Sequence, residues 1–106
     1  MTQTVENVIL DTGAVQSLID MDAVEDIDIR AAGEDIFVTM SGIGGEEAAL
    51  RKRIDYIQFD TYVIENGYMD FAYLSAHPGV NGLLGSDILL SGRFAIDLDK
   101  MIVYRQ

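Results

Sequence analysis

The chain alternates short apolar runs with polar or glycine-rich breaks, at a spacing that favours strands over long helices. Val5 to Leu10 is rich in β-formers and ends in Val8-Ile9-Leu10, after which Asp11-Thr12-Gly13 breaks the run. Ser17 is placed to cap a short helical stretch over Leu18 to Ile27, with Asp20 as a weak capping-box partner. Acids occupy the solvent side of that stretch at Asp20, Asp22, Glu25 and Asp26. Ile36 to Met40 reads as a strand and leads into the turn Ser41-Gly42-Ile43-Gly44-Gly45. Glu46-Glu47 opens a further run, in which Ile54 to Phe59 carries Tyr56 and Phe59. Thr61 to Ile64 and Tyr68 to Tyr73 flank Asn66-Gly67, which predicts a two-residue hairpin turn. His77-Pro78-Gly79 reads as a loop, and Ser86 to Leu90 as a turn or two of helix. Phe94 to Leu98 and Met101 to Tyr104 pair across Asp99-Lys100. The expectation is a single, mostly β domain over residues 1–106, with one or two short helices and no repeat or linker.

Composition narrows the chemistry. With 49% apolar residues in 106, a core is affordable but small, and burial against a second copy would help. The absence of cysteine excludes disulfide frameworks, thiolate metal sites and a cysteine nucleophile. One histidine, His77, excludes multi-histidine metal centres. A net charge of −11 argues against nucleic acid and anionic membranes, since both require clustered cations. The imbalance is uneven: residues 1–50 hold eleven acids and one base, and residues 51–106 hold seven acids and six bases. The only basic run is Arg51-Lys52-Arg53. No apolar run approaches a membrane span, and Met1 to Asn7 lacks the regions of a signal peptide. Together with the lack of cysteine, this points to the cytoplasm.

Two segments stand out. The first is Val8-Ile9-Leu10-Asp11-Thr12-Gly13-Ala14, with Ser17 beyond it; the second is Gly82-Leu83-Leu84-Gly85-Ser86-Asp87-Ile88-Leu89. Between them lies the Gly42 to Gly45 turn. This order resembles the retropepsin-like aspartic peptidases, in which an apolar strand ends in Asp-Thr-Gly-Ala, a glycine-rich flap follows, and an apolar-apolar-Gly strand enters a helix. The resemblance spans Val8 to Tyr104 and implies an all-β, retropepsin-like acid-protease barrel.

It also implies roles. Asp11 would be the catalytic carboxylate, within an active-site loop that includes Thr12, Gly13 and Ala14. Thr12 would hydrogen-bond to the matching loop of a second subunit. Gly42, Ile43, Gly44 and Gly45 would form the flap over an extended peptide, and Leu83, Leu84 and Gly85 would support the active-site loop. The reaction needs neither metal nor organic cofactor: two carboxylates share one proton, one as base toward water and the other as acid toward the carbonyl. At about 3 Å and an effective dielectric near 20, two like charges repel by roughly 5 kcal/mol, which keeps that proton on the pair. Because the chain has a single Asp-Thr-Gly, the second aspartate must come from a second copy, giving a homodimer with twofold symmetry.

Plainer readings stand beside these. Asp-Thr-Gly can simply end a strand, and Ser41 to Gly45 can be an ordinary hairpin loop. The latter fits neither a phosphate loop nor a dinucleotide fingerprint. The acids from Asp20 to Asp26 lack calcium-loop spacing and read as a solvated face. A catalytically silent peptide-binding or assembly domain of the same fold is the alternative function. Related domains place a further strand and hairpin before the catalytic strand, so an N-terminal hairpin is expected to be missing or trimmed here. The terminal hairpin over Phe94 to Tyr104 is an addition to the short viral form, as in cellular relatives.

Overall fold

The computed structural model describes residues 2–27, 35–42, 45–74 and 78–106. Among the described residues, eight strands and one short helix follow in order: β1 (Val8–Leu10), β2 (Leu18–Asp20), β3 (Ile36–Gly42), β4 (Gly45–Phe59), β5 (Tyr62–Ala72), β6 (Gly82–Leu84), α1 (Ser86–Ser91), β7 (Phe94–Asp97) and β8 (Ile102–Arg105). A 3-10 segment, Met21–Ile27, follows β2 and is kinked at Val24. Six strands form one mixed sheet in the order β1-β6-β2-β5-β4-β3, and β7 and β8 form a separate antiparallel hairpin. The mostly β expectation holds.

The position of β6 matters most for function. It runs parallel to β1, with Ile9 opposite Leu83, and antiparallel to β2, with Leu18 opposite Leu83. A strand from late in the chain is therefore inserted between two early, consecutive ones. The Asp11 to Ser17 connection must consequently pass over the end of β6. On the other side of β2, β5 runs parallel to it, with Leu18 opposite Asp70.

The stretch over Leu18 to Ile27 departs from the helix expected of it. Leu18 to Asp20 is drawn into the sheet because both neighbouring strands offer ladder partners. The helical part begins only at Met21, where the Asp20 carboxylate accepts the Asp22 N–H at 3.0 Å. Asp20, rather than Ser17, thus performs the capping.

Asn66-Gly67 is likewise not a turn. The hairpin closes at Asp60-Thr61, where Asp60 takes a φ of 55° and Phe59 pairs with Tyr62. Asn66 adopts a φ of 54° within β5, and the ladder breaks at its pairing with Asp55 while the register on both sides is kept. That irregularity resets the pleat. Ile57, Phe59, Tyr62 and Ile64 beyond it and Ile54 and Met69 before it all face one core. Asn tolerates the left-handed conformation better than most residues. Gly67 is required for space, because a Cβ there would lie 2.7 Å from the Ile64 side chain.

Two clusters fill the interior. One gathers Val24, Met69, Phe71, Leu84, Ile88 and Leu89, so β5, β6 and α1 share it. The other joins Leu18, Ala49, Ala72 and Leu74 beneath the site. Full burial of each large apolar side chain is worth about 1.5–3 kcal/mol. The terminal hairpin attaches through Phe94, whose ring centroid lies 5.1 Å from Phe59, with the Arg105 guanidinium 5.0 Å above the Tyr62 ring.

A charged pair penetrates this core. Asp70 is 1% exposed, and Arg51 grips both its oxygens, Nε to Oδ1 at 2.8 Å and Nη2 to Oδ2 at 3.1 Å. Hydrogen bonding to Asp70 raises the Arg51 pKa above its ordinary value. With the folded pKa raised, the stabilisation is complete below arginine's ordinary value and is lost only at higher, strongly alkaline pH. Arg51→Met leaves a buried carboxylate without its cation, and we expect a loss of about 3 kcal/mol in denaturant unfolding. The double change Arg51→Met with Asp70→Val should recover most of it.

Candidate active site

Asp11 is the first residue after β1, and its carbon framework is set by that strand. Its N–H donates to the Leu84 carbonyl at 2.9 Å, which extends the β1–β6 ladder by one bond. The chain then turns sharply. Asp11 Oδ1 accepts the Gly13 N–H at 3.0 Å, and the Asp11 carbonyl accepts the Ala14 N–H at 3.1 Å. The carboxylate is thus oriented by its own loop. Asp11 is half-buried, whereas Thr12 and Gly13 are exposed.

The loop is pinned from below. The Ala14 carbonyl accepts the Ser86 N–H at 2.7 Å. Gly85 is buried under it, and a Cβ there would stand 2.7 Å from that same carbonyl oxygen. Only a glycine permits the loop to sit so close. Leu84 is buried in the core shared with α1, while Leu83 is half-buried and faces the other way. Leu83 joins Ile9, Leu74, Val80 and Asp11 around an open cleft of about 230 Å³. Asp11 therefore borders an apolar groove on the surface.

The β3–β4 hairpin pairs continuously from Ile36 opposite Arg51 up to Gly42 opposite Gly45. Ile43 and Gly44 lie outside the described residues, as does His77. A glycine-flanked hairpin at this point in the chain is what the sequence led one to expect.

A family model described as aspartyl protease matches residues 3–88, from the segment before β1 into α1. The chain belongs to the aspartyl protease family, in its retropepsin-like type. No curated protein matches the chain. The family match includes the Asp11 loop, the β3–β4 hairpin and the Leu83-Leu84-Gly85 segment, and stops before the terminal hairpin.

For an aspartyl protease domain, two features of this site escaped the sequence reading. Ser17, 1% exposed, bonds across 70 positions to Asp87 instead of capping a helix. Asp70 and Arg51 lie behind it. The signal for Asp70 was present, because an acid inside the apolar run Met69-Asp70-Phe71-Ala72 demands a cation when that run is buried. Ser17 and Asp87 offered no such signal, since each is ordinary in its own segment. Among the described residues, no group of three or more His, Asp or Glu is placed to hold a metal ion, and no helix is long and apolar enough to cross a membrane.

Gly85→Ala tests the close approach beneath the loop. The added methyl must displace the Ala14 carbonyl, and we expect about 1–3 kcal/mol of lost stability in denaturant unfolding. Amide exchange at Ser86 should accelerate alongside, because its acceptor moves.

Proposed function

We propose that this domain is an aspartic endopeptidase that assembles its site from two copies of the chain. The reading rests on one observation: Asp11, its carboxylate held by the Gly13 N–H, stands on a hydrogen-bonded turn and lines an apolar groove. That arrangement suits a carboxylate that must meet a peptide in a partly dry setting. A single Asp-Thr-Gly per chain leaves the second carboxylate to a partner's equivalent loop. Thr12, exposed beside Asp11, is available to bond across such an interface. The −11 charge of each chain opposes association, so the dimer should tighten as salt screens the repulsion.

The chemistry follows from the shared proton. The ionised aspartate takes a proton from water, whose oxygen attacks the peptide carbonyl carbon. The protonated aspartate gives its proton to the carbonyl oxygen, forming a tetrahedral gem-diol. Collapse of the gem-diol breaks the C–N bond as the protonated carboxyl passes its proton to the leaving nitrogen and the other carboxylate takes a proton from a gem-diol hydroxyl, so the pair again holds a single proton. Residues Gly42 to Gly45 would lie over the extended substrate, which pairs with them as an added strand. Ile9, Leu74, Val80 and Leu83 offer an apolar side chain a place beside the scissile bond.

Asp11→Asn should lower peptide hydrolysis by about a thousandfold or more while leaving the unfolding midpoint nearly unchanged, because the swap is almost isosteric. Retained hydrolysis in clean Asp11→Asn protein would refute the assignment. Binding of peptides without cleavage by the unaltered chain would instead leave the silent peptide-binding reading.

Mixing unaltered chain with excess Asp11→Asn chain tests the dimer separately. Mixed dimers carry one aspartate, so activity per unaltered chain should fall steeply as the variant is added. Activity strictly proportional to unaltered chain would show that each copy acts alone.

A further inference from the structure

The Asp11 turn has a fixed beginning at Leu84 and a fixed middle at Ser86, and its far end is held by a different kind of contact. At Ser17, one carboxylate oxygen of Asp87 accepts two bonds, from the Ser17 N–H at 3.0 Å and from the Ser17 hydroxyl at 2.6 Å. The hydroxyl oxygen in turn accepts the Gly85 N–H at 2.8 Å. The polarity of this relay is determined. Ser17 can give its only hydroxyl proton to Asp87 because Gly85 presents a donor to its lone pair. Residue 87 must therefore be an acceptor.

We propose that Asp87 is a positioning residue for Asp11, acting through Ser17 to hold the active-site turn in its reacting geometry. The proposal rests on the peptidase reading of Asp11 given above, and it goes beyond it by assigning a role to a side chain that meets no substrate. Three observations converge on it. Ser17 is 1% exposed, so its hydroxyl has no water to replace a lost partner. Gly85, the residue the relay bonds, is the same one whose bare backbone supports Ala14. Leu18, next to Ser17, lies in register with Asp70, whose partner Arg51 is also within the field of the Asp87 charge. The turn is thereby tied to the strand that continues into the β3–β4 hairpin.

The test separates acceptor from charge and positioning from activity. Asp87→Ala should lower kcat for peptide hydrolysis about 10- to 100-fold with KM within about threefold, because Ile9, Leu74, Val80 and Leu83 are untouched. Asp87→Asn keeps an acceptor oxygen and should restore most of that rate. Amide exchange, measured on the same proteins, should quicken at least tenfold at Asp11, Gly13, Ser17 and Gly85 in Asp87→Ala, with the β4–β5 ladder unchanged. If Asp87→Ala does not fold, Ser17→Ala removes the same relay and carries the same two measurements. Unchanged exchange at Asp11 and Gly13, or Asp87→Asn as impaired as Asp87→Ala, would overturn the proposal. If the unaltered chain cleaves no peptide, the peptidase reading fails, while the exchange measurements still decide whether Asp87 positions the turn.

Discussion

The close approach of the Asp11 loop to the end of β6 governs the rest of the molecule. The Ala14 carbonyl sits where a side chain on residue 85 would otherwise be, and the Ser86 N–H meets it at 2.7 Å. This contact is possible only because β6 lies between β1 and β2. A loop joining two adjacent strands would have no reason to cross a third. Here the insertion forces the crossing, and glycine makes it close enough for hydrogen bonds to act along the whole turn.

From that contact, polar order spreads inward instead of stopping at the surface. Ser17 binds Asp87 and receives Gly85, while Arg51 and Asp70 form a two-bond pair one strand further on. Among the described residues, no buried side-chain nitrogen or oxygen lacks a hydrogen-bond partner. A fully paired interior network is costly to rearrange, because any altered member strands another in a low-dielectric setting. Rigidity of this kind suits the two-carboxylate chemistry proposed for Asp11.

The apolar part of the domain supplies the platform. Leu84 anchors β6 in the core shared with β5 and α1, and Leu83, one residue earlier, faces the cleft. A single Leu-Leu-Gly run thus holds the sheet, lines the groove and clears space for the loop. The terminal hairpin clamps onto the same body through Phe94 and Arg105, outside the span shared with the family.

The sequence alone determined the strand-rich class, the break after β1 at Asp11, the short helix at Ser86 and the terminal hairpin. All of these are written in local signals: a β-rich run, a breaker, an apolar pair, a glycine. Tertiary structure decided what local signals could not. Leu18 to Asp20 became a strand because β5 and β6 offered ladder partners on both sides, outweighing a weak capping pattern. Asn66-Gly67 became a mid-strand reset because the apolar residues on either side needed one face, and the turn moved to Asp60-Thr61. Ser17 found Asp87 across 70 positions, a pairing fixed only once β6 is inserted beside β2. Distances along the chain carry propensity, whereas partners for buried polar groups are set by which strands come together.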